Sequence, residues 1–205
     1  CLCRLLTTSP EQGSRTTSDA FWSKGTHGET SMTDKYSARM RRGTHFSFSF
    51  VRNPFDRLVS AYHNKILELD DVPGPMQAMG LSHKMGFPAF LECIAGTVDA
   101  AMDVHLLPQS SILCLDGQLI PNFIGRLESM ATDWQQLETC MKRERLPSLG
   151  NLPEKNRRRS DDHSDVSQYF ADPGLVQLVV ERYGDDLDLF YGDVDLQDLS
   201  RGQLS

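Results

Sequence analysis

The sequence predicts an α/β fold, with helices flanking a central parallel sheet. Two observations carry that expectation. Strand-like and helical segments alternate along the chain instead of falling into separate blocks. Residues 46–69 also change period within one stretch. Phe46, Phe48 and Phe50 alternate as in a half-buried strand, and then Phe55, Leu58, Val59, Tyr62, Ile66 and Leu69 recur at helical spacing. With 205 residues, 39% of them hydrophobic and 24% charged, the chain has the length and composition of one domain with a sizeable core.

Residues 7–34, rich in Ser, Thr and Gly, read as loop or poorly ordered chain. A short helix is expected over Lys35–Arg42, ahead of a strand over 44–51. The next helix spans 54–69: Asn53 suits its N-cap, Pro54 its first turn and Asp56 its positive end. Asp70–Pro75 breaks it. Phe87–Ile94 reads as an amphipathic helix. A loop carrying His105, Pro108 and Gln109 then leads through Ile112–Leu115 to a strand at Phe123–Arg126. Thr132–Met141 fits another helix, and Leu146–Ser164 a polar loop with the run Lys155-Asn-Arg157-Arg158-Arg159. A long amphipathic helix over Pro173–Phe190 closes the pattern, and no internal repeat is evident.

The net charge of −7 argues against a general nucleic-acid binder. Its distribution says more. Lys35 to Lys65 holds seven basic residues and one acid, Asp56, whereas Ser160 to Ser205 holds eleven acids and two bases. The basic stretch suits an anionic ligand, and the acidic tail is expected to serve solubility. The five cysteines, Cys1, Cys3, Cys93, Cys114 and Cys140, show no metal-ligand spacing, so no metal is expected. Free thiols are the default, and one or two disulfides are open to an oxidising compartment. No run approaches the ~20 apolar residues of a membrane span, and no signal-peptide pattern opens the chain. Because it starts at Cys1 without a methionine, we expect either a luminal piece anchored from upstream or an incomplete sequence.

A strand, a tight turn and a helix with an arginine at the strand exit make an anion site. The helix-start N–H groups and the Arg52 fork converge on one point, and Ser60 adds a hydroxyl two turns on. Taken alone, the pattern fits equally a helix-start arginine paired with Asp56 or another carboxylate.

Arg52-Asn-Pro, followed by Ser60 and Tyr62, resembles the 3′-phosphate-binding motif of sulfotransferases that use 3′-phosphoadenosine 5′-phosphosulfate (PAPS). Phe50–Lys65 is similar to the carbohydrate sulfotransferases of the HNK-1 and chondroitin/dermatan 4-O type and their bacterial relatives. Three further blocks agree in order: Asp103-Val-His105-Leu-Leu-Pro108-Gln109, Asn122-Phe-Ile-Gly-Arg126-Leu-Glu128, and Leu175–Phe190 with its Tyr183 and Asp186. Each is weak by itself, and the likeness covers about residues 45–193.

The resemblance implies a P-loop-NTPase-like sulfotransferase fold over 35–193, preceded by an N-terminal segment (1–34) and followed by an acidic tail (194–205). It implies sulfuryl transfer from PAPS to a carbohydrate hydroxyl, with no metal and with a membrane anchor, if any, outside this chain. Arg52 and Ser60 become phosphate ligands, and Arg157, Arg158 and Arg159 a second basic stretch on the cofactor; a solvated basic loop is the plainer account of those three. His105 is the candidate base, against a histidine merely bonded to Asp103. Glu128 is a weaker rival, against a salt bridge with Arg126. His45 and His63 are expected to be structural or exposed. The family's 5′-phosphosulfate loop, Pro-Lys-x-Gly/Cys-x-Thr, does not occur in the 205 residues. Cys1-Leu-Cys3-Arg4 resembles the helix start that comes directly after such a loop, and Gly25-Thr-His-Gly28-Glu-Thr-Ser31 reads as an ordinary loop. A non-catalytic module binding PAP, PAPS or an anionic glycan therefore stands as the second reading. A nucleotide kinase is disfavoured, because no Walker-type loop appears. The implied compartment is the Golgi lumen, or the cytoplasm for a bacterial relative.

Overall fold

The computed structural model describes residues 34–152 and 165–203. They divide into two compact units, one comprising residues 34–49, 120–125 and 130–152, the other 50–119, 126–129 and 165–203.

In the first unit, α1 (Lys35–Met40) starts where the Asp34 side chain accepts the Ser37 amide at 2.9 Å. Its second helix, called α6 in chain order (Met130–Arg143), buries Trp134, Leu137 and Met141 at spacings of three and four, so one stripe faces inward. Glu138 on that helix accepts the Leu149 amide at 2.6 Å, and the Trp134 indole donates to Gly150 O at 2.8 Å. Gly150 has φ 75°, which a glycine adopts without strain.

β1 (Phe48–Val51) pairs with β4 (Phe123–Arg126). The Phe123 amide donates to Ser47 O and the Leu127 amide to Val51 O, an equal advance of four residues on each strand that makes the pair parallel. The described residues thus hold a small parallel sheet with helices. A second pair, β2 (Cys114–Leu115) and β3 (Gln118–Leu119), is an antiparallel hairpin. Asp116 and Gly117 form its loop, both with positive φ (51° and 70°). Asp-Gly between two short extended segments is the sequence signal for this hairpin, whereas the expected path ran from Ile112–Leu115 directly to the next strand.

In the second unit, α2 (Pro54–Ala61) continues into a wider π-helical turn over Tyr62–Leu67, where the Glu68 amide reaches back five residues to His63 O. Phe55, Leu58, Val59, Tyr62 and Ile66 are buried as the periodicity required, but Leu69 lies past the helix end and is exposed. Short α3 (Gly74–Ala78) is followed by α4 (Phe87–Ala95), a 3-10 turn at Asp99–Ala101, and α5 (Gln109–Leu113). α7 (Val166–Tyr169), α8 (Pro173–Tyr191) and α9 (Leu196–Arg201) complete the unit. α8 packs on α4, α2 and α5, and α7 and α9 cover α2. An edge-to-face aromatic cluster seals the α2–α4–α7 junction, with Phe55–Phe170 at 4.8 Å and Phe87–Tyr169 at 4.7 Å. Burying Phe55 alone is worth about 1.5–3 kcal/mol. α9 lies within the acidic stretch, and its Leu199 is buried.

Candidate functional site

The chain leaves β1 at buried Val51 and turns through Arg52 and Asn53 into α2. A buried turn must satisfy its own polar backbone, and side chains from distant segments do this. Gln109 accepts the Arg52 N–H through Oε1 and donates to the Arg52 carbonyl through Nε2, both at 2.8 Å. Asn53 is 0% exposed and uses every polar group it has. Its N–H donates to Glu128 Oε1 at 2.7 Å, and its carbonyl accepts the Arg57 N–H at 2.9 Å. Its side-chain Oδ1 caps the Phe55 amide at 3.1 Å, while Nδ2 donates to Leu199 O at 2.8 Å.

This corrects one expectation. The helix-start amides do not converge freely on a ligand, because those of Arg52, Asn53 and Phe55 are bonded within the protein and Pro54 has none. The Arg52 guanidinium and the Ser60 hydroxyl are both half-buried. Ser60 follows Asp56 by one turn on the same helix face.

The segment 103–110 is held beside this turn by two helices. Arg57 of α2 donates to Leu107 O at 2.8 Å and to Val104 O at 3.3 Å. Tyr183 of α8 donates to Leu106 O at 2.6 Å. Asp186, also of α8, accepts the amides of Gln109 at 2.8 Å and Ser110 at 2.6 Å, capping α5 from another element. Burial lowers the Arg57 pKa, and the neighbouring Arg52 charge adds to this against the opposing pull of Tyr183 and Asp186. Burial pushes the Tyr183 hydroxyl well above its ordinary value.

His105 stands out from this segment with its side chain 55% exposed. Buried Asp103 accepts the His105 amide at 2.8 Å and lies 2.7 Å from Nδ1 with the same oxygen. The carboxylate therefore assigns the proton to Nδ1 and leaves the Nε2 lone pair to act as a base. The partner foreseen for a structural histidine and the orientation needed by a base are thus the same contact.

Glu128 is bonded through both of its oxygens, the first to the Asn53 amide. Its second oxygen accepts the Tyr191 hydroxyl at 3.0 Å, so both oxygens serve the scaffold. Arg126 instead pairs with Asp193 and lies over the Tyr191 ring at 4.9 Å. Burial first, and then the Glu128 charge, push the Tyr191 hydroxyl far up. His63 Nε2 lies 2.7 Å from the Tyr169 hydroxyl, and His45 sits beside Thr44. Arg157, Arg158 and Arg159, Cys1 to Arg4, and Gly25 to Ser31 lie outside the described residues. Among the described residues, Cys93 and Cys140 are free thiols and no group of His, Cys, Asp or Glu is arranged to hold a metal ion. No described helix is long and apolar enough to cross a membrane.

The last three sequence blocks each send a side chain to the Arg52 turn or to the segment beside it. Gln109 comes from the second block, Glu128 from the third, and Tyr183 and Asp186 from the fourth. A family model described as the sulfotransferase family matches residues 1–192. The chain belongs to the sulfotransferase family. It is 27% identical over 170 residues to human (Homo sapiens) carbohydrate sulfotransferase 14, over 74% of this chain and 43% of that protein. This sulfotransferase-family chain thus spans less than half the length of the curated relative it matches. No solved structure matches it. Sequence reasoning missed the structural parts played by Arg57, Gln109, Glu128 and Asp186. The available signal was the fixed order of the weak blocks, which marks residues that meet in space.

Proposed function

We propose that this chain carries the 3′-phosphate-binding and acceptor-activating parts of a PAPS-dependent carbohydrate sulfotransferase, built on a P-loop-NTPase-like fold. The observation that supports this most is the Arg52 turn, whose backbone Gln109 holds on both its N–H and its C=O while Asn53 is bonded at every polar group. A phosphate site needs its cation delivered from a rigid turn, and a guanidinium with a nearby hydroxyl suits a phosphate monoester. The carbohydrate acceptor is inferred from the name of the human relative, and the Golgi compartment from the family resemblance alone.

PAPS supplies the sulfuryl group when bound. In this reading, Arg52 and Ser60 hold the 3′-phosphate by charge-assisted hydrogen bonds, with Arg157, Arg158 and Arg159 as the second basic stretch. His105 takes the acceptor hydroxyl proton at Nε2, and Asp103 keeps the ring in that tautomer and stabilises the imidazolium that forms. Calorimetry with adenosine 3′,5′-bisphosphate (PAP) tests the assignment. Arg52→Ala is expected to lose about 1.5–3 kcal/mol of binding and Ser60→Ala about 0.5–1.5 kcal/mol. Equal affinity in Arg52→Ala rejects the site. Binding without sulfuryl transfer to any sugar selects the non-catalytic module.

A further inference from the structure

We propose that Asp186, acting through Gln109, is a positioning residue for the Arg52 site: a carboxylate buried in α8 sets how well the turn holds a phosphate. The inference rests on the phosphate-binding reading above and goes one step beyond it.

The Gln109 amide closes a ring on Arg52, taking its N–H at Oε1 and giving a proton to its carbonyl from Nε2, as a neighbouring strand would. A side-chain amide can turn over, and the flipped form would set donor against donor and acceptor against acceptor at Arg52. Asp186 prevents the flip. Its Oδ2 lies 3.4 Å from Gln109 Nε2 and accepts the Gln109 backbone N–H at 2.8 Å. A carboxylate only accepts, so it requires the nitrogen of Gln109 on its own side. Asp186 is 0% exposed, so no bulk water substitutes for it. Burying a carboxylate is costly unless its lone pairs are filled, and here two amides and the Gln109 side chain fill them. The buried charge therefore acts on the element that fixes the direction in which Arg52 leaves the strand.

A double-mutant cycle separates this from a general structural role. PAP binding is measured by calorimetry on the 205-residue chain, on Arg52→Ala, Asp186→Asn and Gln109→Met, and on each of the last two combined with Arg52→Ala. Near-UV circular dichroism confirms that each protein is folded. Gln109→Met removes the ring without touching the two backbone amides on Asp186, so it serves if Asp186→Asn does not fold. Each single variant is expected to weaken binding about tenfold, yet to change it by less than about twofold when Arg52 is already alanine. Wild-type affinity in the single variants, or the same loss in both backgrounds, overturns the proposal and leaves the phosphate site standing. A wild-type chain that does not bind PAP, or an Arg52→Ala that binds as wild type, overturns the phosphate reading and this inference with it.

Discussion

The Arg57 guanidinium donates to the carbonyl of Leu107 at 2.8 Å, joining α2 to a loop fifty positions further along the chain. A second donation, to Val104 O, makes Arg57 the tie between α2 and the segment that carries His105. The cation is half-buried, and its replacement leaves the Leu107 and Val104 carbonyls without this donor. Arg57→Met is expected to lower stability by about 1.5–3 kcal/mol in urea unfolding. Faster amide exchange should appear first in residues 104–107. Unchanged exchange there would show that the tie is dispensable.

In the proposed function, proton transfer rests on the Asp103–His105 contact and cofactor binding on the Arg52 turn, so the two are tested separately. On that proposal, His105→Ala is expected to keep PAP affinity and to lose turnover by about 10²–10⁴-fold. Asp103→Asn should lose turnover to a smaller degree, because the imidazole remains but its tautomer is no longer imposed. Turnover unchanged in His105→Ala rejects the base role.

Asn53 offers a test of which bonds hold the turn. As an N-cap, Asp serves nearly as well as Asn. Here Nδ2 donates to Leu199 O, so a carboxylate would face a carbonyl with no proton between them. Asn53→Asp is therefore expected to cost about 1–3 kcal/mol, far more than the cap ranking implies. A chain shortened to end before α9 should lose that preference for Asn. An Asn53→Asp variant as stable as wild type in the full chain would count against the Leu199 bond.

Tyr183 and Tyr191 set an alkaline limit. Burial raises both, and the Glu128 charge raises Tyr191 further above the ordinary value of 10.0. A raised folded pKa gives stability that is present below pH 10.0 and is lost as pH rises toward the folded value. Above pH 10.0 the unfolded state releases phenol protons that the folded state retains. Phenolate absorbance from these two residues is expected to rise only together with unfolding. Ionisation of Tyr183 or Tyr191 in a protein that stays folded would contradict the burial.

Local structure was legible wherever one period or one cap decided it. Asn53, Pro54 and Asp56 stand at the start of α2 as their side-chain chemistry requires, and Pro173 opens α8. The helices at Phe87–Ala95 and Met130–Arg143 follow from their apolar spacing. The end of α2 was less legible: Leu69 continues the period, but the chain widens into a π turn at Tyr62, next to the aromatic rings of α4 and α7. That contact is non-local and leaves no trace in the spacing.

The Arg52 turn shows the division most clearly. Strand period, proline and cap residue lie within a few positions of one another, so short-range sterics and hydrogen bonding place the arginine at a strand exit without help from the rest of the chain. The neighbours of that turn are a different matter. Gln109, Glu128 and Leu199 reach Arg52 and Asn53 across separations of 57, 75 and 146 residues. Nothing local selects them. Only the packing of α5 and of the Glu128 segment against the start of α2 decides that the Arg52 and Asn53 amides are bonded inside the protein.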